Sequence, residues 1–116
     1  MNHKQLEDLA DIAGVISDRE LSKVRVIMAE MARLRSEIAE IQDQRAARQA
    51  DAALDLARVS GAEMAWMAAT EERLRVLQSQ HARLRAGHEQ VLDVARKAFG
   101  RADVARRLAE GAGKRR

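Results

Sequence analysis

The feature that most constrains this chain is a repeat of apolar residues at alternating steps of three and four. In the first half it runs through Val24, Ile27, Met31, Leu34, Ile38 and Ile41. This spacing places all of them on one stripe of a helix, as in the a and d seam of a coiled coil. The same register continues back through Glu20, Ser17, Ala13, Ala10 and Leu6, and forward through Arg45, Arg48 and Ala52. One helix is therefore predicted over nearly half of the protein.

The second half repeats the rhythm. Its seam is predicted at Met67, Thr70, Leu74, Leu77, His81, Leu84, His88, Val91, Ala95, Ala98 and Ala102. Towards the end the seam residues shrink to Ala, which allows close helix approach, while the larger Leu92 and Phe99 lie on one flank and are free for a third segment or a partner. Between the two stretches Ser60-Gly61 is the strongest turn signal, because Gly ends a helix in the left-handed conformation at little cost.

A turn at this point predicts an all-α fold, a long antiparallel two-helix coiled-coil hairpin. We expect a first arm over about 3–59, a turn near 60–61, a second arm over about 62–110 and a basic tail at 111–116. This places residue 24 opposite 97, 31 opposite 90, 38 opposite 83 and 45 opposite 76. Residues 1–20 are mainly acidic and 96–116 mainly basic, so the two ends are expected to attract each other in a monomeric hairpin.

Two alternatives stay open at this level. The first helix either continues across Gly14 or starts afresh at a Ser17-Asp18-Arg19-Glu20 capping box. The chain as a whole either folds back or forms one uninterrupted helix that dimerises, since a single helical Gly costs only about 1 kcal/mol relative to Ala.

Composition agrees with narrow apolar stripes on solvated helices. The chain of 116 residues has one Trp, one Phe, no Tyr, no Pro and no Cys, which disfavours a broad aromatic core and excludes disulfides, thiol catalysis and thiolate metal sites. The start is acidic where a secretory signal would be basic, and no apolar run approaches the ~20 residues that cross a bilayer. We expect a cytoplasmic protein.

Catalytic chemistry is not expected. His81 and His88 are two helical turns apart, too far to share a metal ion, and are interpreted as polar seam residues whose burial would lower stability on acidification. Glu71-Glu72 is explained by helix-stabilising pairs, for example with Arg75. Arg45 and Arg48 occupy seam positions, so they either reach Glu71 or Glu72 on the other arm or mark a locally weak coil. The chain has no phosphate-binding Gly loop. Neither a cofactor nor a small-molecule substrate is predicted.

Two groups of residues are candidates for protein contacts. Trp66 lies with Met64 and Met67 just after the predicted turn, either as an anchor for a partner or as a cap packed on Leu54 or Leu56. The second group is the basic stretch with Arg96, Lys97, Arg101, Arg106 and Arg107. Nucleic acid is an unlikely partner, because stacking aromatics are absent.

The weakly marked turn, the Trp after it, heptads such as LRSEIAEIQDQRAARQA and the ending VARKAFGRADVARRLAE resemble the flagellar export protein FliJ and its type III secretion counterpart YscO. The resemblance spans nearly the whole chain and involves no catalytic motif.

What this resemblance implies is a stalk-like coiled coil of the export apparatus, cytoplasmic or peripheral at the inner membrane. Its partners would be the type III export ATPase ring, the export gate and substrate chaperones. The basic stretch would face the ATPase ring, and the Trp66 region the other contact. Two other functions are kept as alternatives: a generic coiled-coil adaptor or dimerising scaffold, and a basic hairpin that binds nucleic acid.

Overall fold

The computed structural model describes residues 1–54 and 61–114, and they form two long helices. Helix α1 spans His3–Leu54 and helix α2 spans Gly61–Lys114, with no strand in these two ranges. The fold is the predicted all-α, antiparallel two-helix coiled-coil hairpin. Residues 55–60, including Ser60 of the predicted turn, lie outside the described range.

Helix α1 begins at a capping box formed by Asn2 and Gln5, close to residue 3, where the first arm was expected to start. The backbone N–H of Gln5 donates to Asn2 Oδ1 at 2.8 Å, and the N–H of Asn2 donates to Gln5 Oε1 at 3.1 Å. This reciprocal pair satisfies two amides that the first helical turn leaves open.

The capping box predicted at Ser17 does not start a helix. Helix α1 runs through Gly14 and Ser17 without interruption, and Ser17 is only 4% exposed. Of the two alternatives at Gly14, the structure therefore shows continuity. The reason is positional: Ser17 is a seam residue, and seam burial continues on both sides of the glycine.

The chain packs as two units, and each contains a segment of both helices. The terminal unit comprises Met1–Met28 and Gly87–Arg116, described up to residue 114. Its core is built from small side chains: Ser17 and Val24 on α1, and Ala95, Ala98, Ala105 and Ala109 on α2. At one end the backbone of α2 lies close to a side chain of α1, because a Cβ added at Gly113 would lie 2.9 Å from the ring atom Cε1 of His3. Small core residues make this close approach possible.

The central unit, Ala29–Ala86, is packed with larger side chains. Met31, Leu34, Thr70, Leu74 and Leu77 are buried, and Leu34 and Leu77 are only 1% exposed. In contrast to the terminal unit, its helices are also joined by ion pairs. These are Arg45–Glu71 at 2.6 Å, Arg73–Glu37 at 3.1 Å and Arg48–Glu63 at 3.3 Å.

The pairing of the two helices differs from the predicted register. Residue 45 was expected opposite 76, but the Arg45 side chain binds Glu71, and in the terminal unit His3 packs against Gly113. The contacts Arg45–Glu71 and His3–Gly113 are displaced by about five residues from the expected alignment, and the pairs Arg73–Glu37 and Arg48–Glu63 by about ten. Gly61 is helical, and no described glycine has a positive φ.

The arms were expected over about 3–59 and 62–110; α1 begins at His3 and α2 at Gly61, while residue 59 lies outside the described residues. Helix α2 continues to Lys114, so residues 111–114 of the expected basic tail are helical. Residues 115 and 116 lie outside the described range.

Candidate interaction surfaces

The two histidines of the seam lie partly buried between the helices and belong to no candidate metal site among the described residues. His81 and His88 are both half-buried, and the Nε2 atom of each is buried without a hydrogen-bond partner. No group of three or more His, Asp or Glu side chains in the described part of the chain could hold a metal ion.

The paired carboxylates Glu71 and Glu72 bind different partners. Arg75 pairs with Glu72 at 2.7 Å, not with Glu71 as the four-residue spacing suggested. Glu71 instead receives Arg45 from the other helix, as one of the two interpretations of Arg45 predicted. Arg48 reaches neither of these carboxylates and pairs with Glu63.

Three exposed ion pairs shift the pKa values of their members. The hydrogen bond from Arg33 lowers the pKa of Glu30, and that from Arg75 lowers the pKa of Glu72. The hydrogen bond to Asp103, with charge attraction from Glu110 and Asp103, raises the pKa of Arg106. Since these groups are fully solvated, the pairs support their helices weakly and do not mark a reactive site.

Trp66 is not a free anchor. The Arg48 guanidinium lies 3.8 Å from the centroid of its ring, and Arg48 also binds Glu63. The indole is half-buried and takes the seam position that the sequence reading gave to Met67, which is 38% exposed. The expected packing on Leu54 or Leu56 concerns side chains outside the described set. Trp66 therefore has a role within the chain, as the ring on which Arg48 packs. The exposed apolar side chains beside it are Met64 and Met67.

The basic stretch of α2 divides into paired and unpaired cations. Lys97 binds Asp93, Arg107 binds Asp103, and Arg106 binds Asp103 and Glu110. Arg96 and Arg101 make no ion pair or hydrogen bond with any described residue, and both are exposed. Between residues 1–28 and 87–114 no ion pair links the helices; the acidic Glu7 and Asp11 of α1 nevertheless line one open cleft together with Arg106 of α2.

Beside this basic stretch lies a surface that was not predicted from the sequence. An open groove of about 530 Å³ is lined by Leu9 of α1 together with residues of α2 that include Lys97, Gly100, Arg101, Val104 and Leu108. We call it the terminal groove.

Apolar side chains continue along the helix face of Leu9. Ile12 and Ile16 follow it at steps of three and four, and both are exposed. With this spacing, Leu9, Ile12 and Ile16 form a second apolar stripe beside the seam. This stripe was the pattern in the sequence from which the exposed surface could have been predicted. By comparison, the seam-flanking positions of the central unit carry Glu37 and Arg73, which pair with each other.

The opposite flank of the terminal unit has fewer apolar residues. Phe99 is exposed, while Leu92 is half-buried. Their place on one flank agrees with the sequence reading.

Neither described helix has a stretch both long and apolar enough to span a membrane. Comparison with protein-family models, with characterised proteins and with solved structures finds no match to the chain.

Proposed function

We propose that the chain is a non-enzymatic, cytoplasmic coiled-coil component of a flagellar or type III protein export apparatus. It would act as a stalk-like part that contacts the export ATPase ring and the export gate and assists the handling of substrate chaperones. The proposal starts from the resemblance of the sequence to the FliJ and YscO proteins.

The observation that carries the proposal is that the surfaces beside the seam differ between the two units. In the central unit, ion pairs join the two helices. In the terminal unit, apolar side chains are exposed, and Arg96 and Arg101 have no ion-pair partner among the described residues. Large exposed apolar side chains in one place are typical of protein contacts. A stalk needs such a surface and needs no catalytic group, since it alters an ATPase through different contacts with its different states.

Within this proposal the terminal unit would face the ATPase ring. Within the basic stretch, Arg96 and Arg101 have no ion-pair partner among the described residues, while Lys97, Arg106 and Arg107 would have to exchange an existing partner. Met64 and Met67 would serve the second contact, with Trp66 held by Arg48 as their support.

The experiment is a hydrolysis assay with the cognate export ATPase, with and without the purified chain. We expect stimulation that is lost in an Arg96→Ala/Arg101→Ala double variant. An Arg83→Ala/Arg85→Ala variant is the matched control, because these two α2 arginines are also exposed and unpaired among the described residues but belong to the central unit. The proposal would be contradicted if the chain neither stimulated the ATPase nor associated with it.

A dimerising scaffold is the second candidate, because the same exposed apolar residues could bury each other between two copies. Sedimentation at micromolar concentration separates the two functions. A dimer that persists on dilution favours the scaffold, and a monomer favours the stalk. A steeply salt-dependent shift of mixed nucleic acid would instead indicate the basic hairpin that binds nucleic acid.

A further inference from the structure

The terminal groove combines apolar walls with charge of a single sign. Leu9 on one helix and Val104 and Leu108 on the other supply the apolar surface, and all three are exposed. The charged side chains that line the groove are Lys97 and Arg101, so it contains no carboxylate. Any ligand that covers these apolar groups therefore also meets two cations, of which Arg101 has no ion-pair partner among the described residues and Lys97 is bound to Asp93.

Gly100 in the groove has no packing role within the chain. A Cβ added there would meet no atom of α1 within 4 Å, as is also true of the other helix at Gly14 and Gly87, so the glycine is not required by a close contact between α1 and α2. In the middle of a helix Gly costs about 1 kcal/mol relative to Ala. What the glycine does provide is an open stretch of backbone on which another chain can lie closely.

Beside the groove, the apolar surface of Leu9 continues along α1 beyond the residues that line the groove. Leu9, Ile12 and Ile16 extend the apolar surface over seven residues of α1, which is about 10 Å or two helical turns. Helices that bind in grooves insert side chains spaced by three, four and seven residues, which is the same repeat.

We infer that the terminal groove binds an amphipathic helix of a partner protein whose apolar stripe is flanked by acidic residues. The apolar stripe would cover Leu9, Val104 and Leu108, and the acidic side chains would pair with Arg101 and Lys97. A second copy of the chain fits less well, because the groove would then meet its own cations. The inference rests on the proposed function for the identity of the partner, which would be a component of the export apparatus.

The test uses the full chain and two synthetic amphipathic peptides with the same leucine stripe. One carries Glu on both sides of the stripe and the other carries Lys, and binding is followed by fluorescence anisotropy of the labelled peptide. We expect the Glu peptide to bind at least tenfold more tightly than the Lys peptide. The preference should shrink as salt is raised, because these charges are exposed.

Variants locate the binding site. Leu108→Glu should reduce affinity for the Glu peptide at least tenfold, and Gly100→Ala should weaken binding while it stabilises the helix. Phe99→Glu is the matched control, since Phe99 is exposed to 59% and Leu108 to 54% but only Leu108 lines the groove. Circular dichroism of each variant checks that the helices remain folded.

Several outcomes would overturn the inference. These are equal binding of both peptides, no binding of the Glu peptide, or an equal loss from Phe99→Glu and Leu108→Glu. Stronger competition by anionic lipid vesicles than by the Glu peptide would assign the groove to a membrane surface instead, and dimerisation abolished by Leu108→Glu would assign it to a second copy. Peptide binding without stimulation of the export ATPase would support the groove and reject the proposed function, so the two failures are distinguishable.

Discussion

The two histidines of the seam show how single residues weaken this coil. Both lie where a leucine would pack, and each holds a buried ring nitrogen that finds no hydrogen-bond partner in the described part of the chain. An unpaired buried polar atom costs about 1–3 kcal/mol. His81 and His88 therefore lower the stability of the seam, as polar seam residues do when they restrict the possible pairings of two helices.

The contact between Arg48 and Trp66 allows a prediction at the scale of one residue pair. Trp66→Ala should leave most of the helix signal intact and lower the free energy of unfolding, because the half-buried ring loses its packing and its cation. A double-mutant cycle with Arg48→Ala, followed by urea unfolding, should give a coupling energy of about 0.5–1 kcal/mol.

Lys23→Ala is a suitable comparison for Arg48→Ala, since Lys23 pairs only with Glu20 on its own helix. Its cycle with Trp66→Ala should be additive. If the effects of Arg48→Ala and Trp66→Ala on the free energy of unfolding were additive, the ring would be held by groups other than Arg48. Trp66 would then again be a candidate anchor for a partner.

At the scale of the helices, we predict that replacing most of the glycines by alanine increases the stability of the fold. Gly14 and Gly87 lie inside α1 and α2, and a Cβ at either would have no atom within 4 Å. Gly14→Ala and Gly87→Ala should each raise the free energy of unfolding by about 0.5–1 kcal/mol, measured by urea denaturation, because alanine restricts the unfolded chain and favours helix.

Gly113→Ala provides the contrast within the same helix. There the new methyl group would meet the His3 ring at 2.9 Å, so we expect little gain or a small loss. Equal stabilisation by all three substitutions would show that His3 does not occupy this place in solution.

For the whole molecule the sharpest prediction concerns the register of the hairpin. The sequence contains no cysteine, so nitroxide labels can be attached at two introduced cysteines. The 45/71 label pair should give a shorter distance by electron resonance than the 45/76 pair, since five residues of helix correspond to about 7.5 Å.

Dilution with unlabelled chain provides the control. A monomeric hairpin keeps the short 45/71 distance, while a swapped dimer loses it. A shorter distance for 45/76 would restore the register first expected from the Ser60-Gly61 turn.

The sequence predicted the hairpin because the heptad pattern is a direct record of burial. Val24, Leu34, Leu74 and Leu77 are buried as expected, and even the Arg45–Glu71 pair was among the predicted contacts. The register could not be derived in the same way. A regular repeat fits equally well after a shift along the partner helix, and only contacts between the helices, such as Arg45–Glu71 and His3–Gly113, show which alignment is adopted.

The candidate surfaces were less predictable for a related reason. The basic residues of α2 are visible in the sequence, but which of them are neutralised depends on rotamers and neighbours, as the difference between Arg101 and Arg106 shows. The terminal groove can be predicted only if Leu9 and Leu108 are known to lie together. That neighbourhood depends on the register, and because the register was predicted incorrectly, the groove was not predicted. Trp66 was recognised as unusual, but its Arg48 partner lies 18 positions earlier in the chain.

The contrast between the flanks of the two units has a consequence for how this protein tolerates mutation. Seam substitutions in either unit should reduce the amount of folded protein. Polar substitutions at Leu9, Ile16 or Leu108 should leave abundance unchanged and reduce only what the protein does with its partner. A library of variants scored separately for abundance and for growth-linked function would thus separate into two classes of position, and the second class would outline the working surface without any knowledge of the partner.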